Sequence, residues 1–482
     1  MQQTLILALT AAALAVPTAR GSDLAGEIER FLGKDLYTGA RIGIHVVARG
    51  SGRVIYAREA TQLLIPASNQ KLVTALAGLR LLGEDYEFLT RLCADGPVRG
   101  GTLQGDLILR GGGDPTIGGR YDEQTAREVF QDWGRQIRER GIHRVAGDLV
   151  ADDSFFDRQW YHPNWSVPQA WKWYFAPVSA ISINDNCVTL TVRPGAQPGE
   201  PARLSAAPVE AAFGLVNACE TASSRHAIWF DRSAHETDIT VGGYVRQGTA
   251  GYSHRVTVPV PALYAAEALK ATLEDCGIRV DGSARMVRPG ETQRYLWADT
   301  LCERRTPLLP VLRQMVKRSH NHYAEQVVKT VGAERAGEGS WKAGLACAAA
   351  LLRSMGFRRN EFQLDDGSGL SRGNRLSPAL LTTLLLHAER QPETRQFASL
   401  LAVPGESGTL RSRLREAPYG DGVRAKTGYL NGVGALSGYA TTRSGTRVAF
   451  SILINDDHNP VGTYSMSRTA DALCRLIVDH AE

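Results

Sequence analysis

Apolar and polar positions first fall into register at Arg41 to Ala57. Ile42, Ile44 and Val46 alternate, Gly50-Ser51-Gly52 makes a turn, and Val54-Ile55-Tyr56 returns, which predicts a β-hairpin. The period then lengthens. Leu72, Ala75, Leu76, Leu79 and Leu82 recur at helical spacing behind Ser68, and Gly83 is a natural stop, so a buried core helix is expected here. From about residue 90 the pattern breaks into short alternating runs. Gly100-Gly101, Gly111-Gly112-Gly113-Asp114-Pro115 and the Pro- or Gly-rich breaks at 194–201 and 248–251 punctuate them, which predicts β-rich inserted material with few helices. Helical spacing resumes with Leu308, Leu312, Met315 and Val316. It is interrupted by Lys317-Arg318-Ser319-His320-Asn321 and continues through Tyr323, Ala324, Val327 and Val328, so two helices should meet at a short polar loop. Val423 to Leu430, Gly434 to Thr441 and Arg447 to Ile454 read as successive antiparallel strands, with Asn431-Gly432 as the first turn. The outer thirds therefore form one α+β domain, an antiparallel sheet flanked by helices, split by a long insertion. The expected boundaries are 22–89 with 297–482 for the outer domain and 90–296 for the inserted region.

Composition narrows the class. A chain of 482 residues, 43% hydrophobic and 22% charged, is long enough for two or three domains, since single cores stop growing at about 250–300 residues. A net charge of only +5, with no basic cluster interleaved with aromatics, argues against nucleic acid as a partner. Leu5 to Val16 is an apolar run too short to span a bilayer but suited to a signal-peptide core, although residues 1–4 carry no Lys or Arg; cleavage after Gly21 is expected. No cysteine stands beside that cleavage site, so lipid anchoring there is not expected; separately, no transmembrane anchor is expected in the mature chain. Seven cysteines (93, 187, 219, 276, 302, 347 and 474) show no zinc spacing; an odd count leaves at least one unpaired, and the others can be bridged or buried and free. Neither a metal nor another cofactor is expected. Trp160, Trp165, Trp171 and Trp173 crowd one short segment, as a local aromatic core or a carbohydrate platform.

Chemistry enters at Ser68, the only serine in the chain with a lysine three residues later. Positions i and i+3 share a helix face, so the Lys71 amine can reach the Ser68 hydroxyl and, when uncharged, accept its proton. Two further short motifs follow in order, Ser319-His320-Asn321 and Lys426-Thr427-Gly428. Each alone is weak, and Ser182-Ile183-Asn184 is a decoy for the second; the ordered set, each in its expected setting, is strong. His320 and His322 lie two apart on a helix and do not share a face, which disfavours a metal pair. The triple glycine lacks a following Gly-Lys-Ser/Thr and makes a poor phosphate loop.

In these three motifs the chain resembles the penicillin-recognising serine acyl transferases. With Pro66-Ala67-Ser68-Asn69-Gln70-Lys71-Leu72, Asp366-Gly367-Ser368-Gly369-Leu370-Ser371-Arg372, Gly111-Gly112-Gly113-Asp114-Pro115 and the long insertion, it is similar to the low-molecular-mass class C penicillin-binding proteins, the D-alanyl-D-alanine carboxypeptidase/endopeptidase family. That resemblance covers essentially the mature chain, and it implies two further domains nested in a transpeptidase-like one. It implies that Ser68 forms the acyl-enzyme and Lys71 takes its proton, with burial and the charge of Lys426 both lowering the Lys71 pKa. Ser319 would relay that proton, Asn321 anchor Lys71 and substrate, and Lys426 and Thr427 hold the terminal carboxylate. Gly428 would leave the strand edge bare for a peptide, and the backbone N–H groups of Ser68 and Tyr429 form the oxyanion hole. Arg372 either pairs with a substrate carboxylate or makes a structural ion pair, and Asn184 and Asp185 either line the pocket or make a turn. The expected substrates are peptidoglycan stem peptides and the expected covalent inhibitors β-lactams, in the periplasm or secreted. A β-lactamase and a non-catalytic cell-wall binding protein are the alternatives.

Overall fold

The structure, a computed structural model, describes residues 23–207, 213–457 and 465–482. The expected signal-peptide segment, residues 1–21, lies outside them. Five antiparallel strands build the central sheet of the outer domain, in the order Val423–Leu430, Val433–Thr441, Arg447–Asn455, Arg41–Ala48, Val54–Arg58. The two-residue period decides what each face buries. Leu436, Ala440, Phe450, Ile452 and Ile454 point towards the helices Leu24–Leu32 and Met466–His480. Ala435, Tyr439, Ala449 and Leu453 point to the other side, where Leu72, Val73, Leu76, Leu312, Val327 and Leu384 supply a helical layer. A strand flanked by helices on both faces reads as a nearly continuous apolar run, and Arg447–Asn455 is buried at every position but its first.

The predicted core helix is segmented. A single 3-10 turn at Ala67–Asn69 leads into the α-helix Gln70–Ala77, and a π-helical turn, Gly78–Leu82, ends at Gly83 with φ +96°. All eight residues of the α-helix are buried, Lys71 included. The helices Leu308–Lys317 and Asn321–Ala336 meet at Arg318-Ser319-His320.

The insertion leaves and rejoins the outer domain side by side: the Leu308 N–H donates to the Tyr86 carbonyl at 2.9 Å. Its own sheet has the order Ala284–Met286, Leu149–Asp152, Asp106–Arg110, Glu87–Asp95, Asp299–Pro307, packed by the helices Ala126–Glu139 and Pro261–Asp275. Glu87 pairs with Pro307, so the strand Asp299–Pro307, placed above with the outer domain, is a sheet partner of the strand that opens the insertion. Parallel pairing of Leu149–Asp152 with Asp106–Arg110 makes this sheet mixed. A second excursion is nested inside it. Two three-stranded sheets occupy residues 187–257, and the loop closes where the Val258 N–H donates to the Asn186 carbonyl at 2.9 Å.

The Gly111-Gly112-Gly113-Asp114-Pro115 stretch serves close packing. A Cβ at Gly112 would stand 2.2 Å from the Leu89 carbonyl oxygen, and one at Gly113 would stand 2.9 Å from Thr330 Oγ1 on the helix Asn321–Ala336. Asp114 then caps the turn, accepting from the Thr116 N–H, the Thr116 hydroxyl and the Thr306 hydroxyl. The seven cysteines are all free, five of them buried. The tryptophan cluster is a packed one: Trp165 meets Phe175 and Trp341, Trp171 meets Phe230, and Trp173 lies under the Arg120 guanidinium. No helix among the described residues is long and apolar enough to cross a membrane.

Candidate active site

Three elements bring the motifs together. The helical layer presents Ser68 and Lys71 from the start of its central helix, the loop between two helices presents Ser319 and Asn321, and the outermost strand of the central sheet presents Lys426. Lys71 Nζ is 3.0 Å from Ser68 Oγ, 2.8 Å from Asn321 Oδ1 and 2.6 Å from the Ser368 carbonyl oxygen. Two of these three partners are carbonyl oxygens, which only accept. An uncharged amine that donates its two N–H bonds to them is left with its lone pair facing the Ser68 hydroxyl. Burial pushes the Lys71 pKa down to about 7, while Glu325 and Asp366 pull the other way. The repulsion expected between the two lysines acts on Lys426, which is buried and held well below the ordinary lysine range by that burial, by Lys71 and by Arg413. A carboxylate brought beside Lys426 reverses that shift.

Lys426 Nζ donates to Ser319 Oγ at 2.9 Å and to the Thr427 carbonyl oxygen at 2.8 Å. Ser319 adopts φ +61°, a left-handed conformation that costs a non-glycine residue about 1–3 kcal/mol and tends to persist where function holds it. Asn321 spends its amide N–H on the Tyr174 carbonyl oxygen at 3.1 Å, which ties the loop to the inserted region. Thr427 donates to Thr409 Oγ1 at 2.7 Å. Tyr429 is exposed at the end of the strand.

Gly428 departs from its expected reason. A Cβ there would stand 2.9 Å from both Ala435 Cβ and the Pro66 carbonyl oxygen, so the missing side chain lets the strand close on the Ser68 turn. The edge is open on its other side for a different cause. Val423–Leu430 is the last strand of its sheet, and among the described residues only Ala425 bridges outward, to Ala402. A groove of about 980 Å³ lies elsewhere, around Lys342, Leu345 and Phe362. An extended peptide needs an edge rather than a deep cavity, so volume does not mark this site.

Arg372 donates to the Asn431 carbonyl oxygen at 2.8 Å and pairs with Asp457 at 3.3 Å, beyond the end of the Lys426 strand. Asn184 and Asp185 are drawn away from the cluster. Asn184 donates to the Tyr264 hydroxyl at 2.9 Å, and the fully buried Asp185 accepts from Arg120 Nε at 2.9 Å and from Arg255 at 3.0 Å, with His320 Nε2 3.5 Å away. Burial alone would raise the Asp185 pKa, but His320 and Arg120 outweigh it and hold the carboxyl well below the usual range. Asp185 therefore lies against His320 and the two arginines and does not contact the serine. His320 and His322 are both buried, and burial lowers their pKa values.

Two carboxylates to which the sequence reading gave no role lie in the site. Glu325 accepts from the Gly367 and Ser368 N–H groups, each at 2.8 Å, and from Trp341 Nε1. Asp366 accepts from the Gly369 and Ser371 N–H groups, from Asn374 and from Trp165 Nε1. The available signal was the position of Glu325 one turn beyond Asn321, on the same helix face. Gly369 lets this loop reach the serine turn: it has φ +83°, and a Cβ would stand 1.8 Å from the Ala67 carbonyl oxygen. Among the described residues no group of three or more His, Cys, Asp or Glu side chains is placed to hold a metal ion.

The chain is similar to proteins whose names bear on this geometry. The family model of the D-Ala-D-Ala carboxypeptidase 3 (S13) family matches residues 24–475. The D-alanyl-D-alanine carboxypeptidase of Actinomadura sp. (strain R39) is 35% identical over 92% of this chain and 82% of its own length. The D-alanyl-D-alanine carboxypeptidase DacB of Haemophilus influenzae is 26% identical, over 88% and 87%. The crystal structure of penicillin binding protein 4 (dacB) from Haemophilus influenzae superposes with a TM-score of 0.79 at 25% identity, covering 92% of this chain and 97% of that one. The same fold is seen in that protein complexed with a β-lactam, TM-score 0.75 at 24% identity, covering 92% and 99%.

Proposed function

The chain belongs to the D-Ala-D-Ala carboxypeptidase 3 (S13) family, and from that membership we propose how its residues divide the reaction. The protein is a penicillin-sensitive serine D-alanyl-D-alanine carboxypeptidase that acts on peptidoglycan stem peptides. Ser68 Oγ attacks the carbonyl carbon between the two D-alanines while its proton passes to Lys71. The backbone N–H groups of Ser68 and Tyr429 receive the oxyanion. Collapse breaks the C–N bond, and the leaving amine takes a proton through Ser319, leaving an ester on Ser68 that water hydrolyses. Lys426 and Thr427 hold the terminal carboxylate, and the open edge beyond Ala425 receives the peptide as an added strand. Cutting a cross-link instead of releasing free D-alanine changes only what hangs on the leaving amine, so the same site serves as a DD-endopeptidase. A β-lactam acylates the same oxygen.

The observation that carries this reading is the triple coordination of Lys71 Nζ by Ser68 Oγ, Asn321 Oδ1 and the Ser368 carbonyl. A β-lactamase of the class A type uses an added glutamate to hydrolyse its acyl-enzyme, and Glu325 is not free for that task. Both Glu325 oxygens accept backbone N–H bonds behind the 367–368 peptide, away from the ester. Export across the membrane, with removal of residues 1–21 and a periplasmic or secreted mature form, belongs to the same proposal, as does the division into a split catalytic domain and an insertion. The insertion then braces the loop that carries Ser319 and Asn321, through Tyr174 and Asp185. The test is D-alanine release from a stem-peptide analogue ending in D-Ala-D-Ala, with wild type and Ser68→Ala. Release by wild type alone supports the proposal, and equal release by both defeats it.

A further inference from the structure

The helix Asn321–Ala336 carries a buried carboxylate that contacts the loop of Ser368, and that contact has no part in the steps above. Glu325 is fully buried, lies one turn beyond Asn321, and fills both oxygens with donors from outside its own helix. Two of those donors are the consecutive N–H groups of Gly367 and Ser368. The carbonyls of the same two residues point the other way: Gly367 accepts from Thr74 Oγ1 at 2.7 Å, and Ser368 accepts from Lys71 Nζ at 2.6 Å. The short loop is thus clamped between a carboxylate on one side and the Ser68 helix on the other. Gly367 cannot change without breaking the clamp, because a Cβ there would stand 2.6 Å from Val328 and 2.8 Å from the Ala324 carbonyl oxygen.

We infer that Glu325 is a positioning residue for Lys71: by fixing the 367–368 peptides it aims the Ser368 carbonyl at the amine, so that this carbonyl and Asn321 Oδ1 together turn the lone pair of Lys71 onto Ser68. The inference rests on the acyl-transfer reading of the site. A tetrahedral amine with two fixed N–H acceptors has only one direction left for its lone pair, so a loose Ser368 carbonyl lets the amine rotate away from the serine.

The charge of Glu325 also reaches Lys71. Burial, then repulsion from Asp366, pushes the Glu325 pKa up to about 7, against the hydrogen bonds from Ser368, Trp341 and Gly367. Its anion opposes the burial that lowers Lys71. The other groups that interact with this pair are Asp366 on the loop, Lys329 one turn further along the same helix with its partner Asp157, His320 beside Asn321, and Lys426 beyond Lys71. Neutralising Glu325 removes a stabiliser of the Lys71 cation, so the amine loses its proton at lower pH.

The experiment is the rate of acylation by a fluorescent penicillin as a function of pH, for the full-length wild type, Glu325→Gln and Trp341→Phe, with thermal unfolding to establish that each variant is folded. Glutamine keeps one acceptor but turns an NH₂ towards a backbone N–H. The plateau rate should fall by about 10²-fold, as for a catalytic group displaced by about an ångström. The midpoint of the acid limb should move about one pH unit lower. Trp341→Phe removes one hydrogen bond to the Glu325 anion and touches neither loop N–H, so its midpoint should move the same way by less. A folded variant of either kind that keeps the wild-type midpoint overturns the inference, since loss of packing alone slows the reaction equally at every pH. If Ser68→Ala is still labelled, the acyl-transfer reading itself has failed and not only the role given to Glu325.

Discussion

Lys71 is asked to be a base at neutral pH, and a lysine in water is not one. Its pKa of about 7 comes from burial, which outweighs the pull of Glu325 and Asp366. Because the neutral amine is the reactive form, acylation of Ser68 should be slow below pH 6, rise through pH 7 and level off above 8. A stopped-flow pH profile checks this, and a rate that falls over that interval contradicts it. Removing the base, Lys71→Ala, should cost about 10²–10⁴-fold in the same assay. Asp185 belongs to this scale as a stability residue. Its carboxyl is held well below the unfolded value, so it stabilises the fold at pH above about 4 and stops doing so as the pH falls through its folded pKa. Asp185→Asn should therefore lower the unfolding free energy at pH 7 by about 3 kcal/mol, because it leaves Arg120 and Arg255 facing a neutral group in a buried setting. Urea unfolding at pH 7 measures it. Ser68, Lys71, Ser319, Asn321 and Lys426 were legible in the sequence because each sits in a short motif of fixed spacing. Asp185 was legible only as a polar residue in a turn; what separates it from the serine is a network of arginines distant in sequence.

Elements add constraints that no motif reports. The edge strand and the Ser68 turn meet without room for a methyl group at Gly428, and the 365–372 loop meets the same turn without room at Gly369. Gly428→Ala and Gly369→Ala should each destabilise the fold by about 1–3 kcal/mol and slow acylation, with Gly369→Ala the worse because its left-handed φ adds strain to a 1.8 Å clash. Thermal shift and penicillin labelling of the two variants test that order. The hairpin, the paired helices and the three C-terminal strands followed from periodicity, since each buries an apolar stripe of one period. Glu325 and the loop it holds did not, because a buried carboxylate in a helix looks like any surface glutamate until the backbone donors around it are placed. The strand Asp299–Pro307 was also assigned to the outer domain, since its pairing with Glu87–Asp95 spans some 200 residues of chain and leaves no local trace.

At the scale of the molecule, one long excursion interrupts the outer domain and a second is nested within the first, and each returns beside its point of departure. The larger one supplies the Tyr174 carbonyl that takes the Asn321 amide, and it supplies Asp185 to the histidine between Ser319 and Asn321. It thus forms a wall of the site as well as an appendage. The central claim remains local: a hydroxyl at the head of a buried helix is made nucleophilic by the uncharged amine one turn on, opposite a lysine that receives a carboxylate. Its most direct measurement is intact-protein mass spectrometry after benzylpenicillin, followed by mapping of the modified peptide in wild type and Ser68→Ala. One adduct per chain, on the peptide containing Ser68 and absent from the variant, is the expected result. An adduct on another residue, or one of equal yield in Ser68→Ala, contradicts the account.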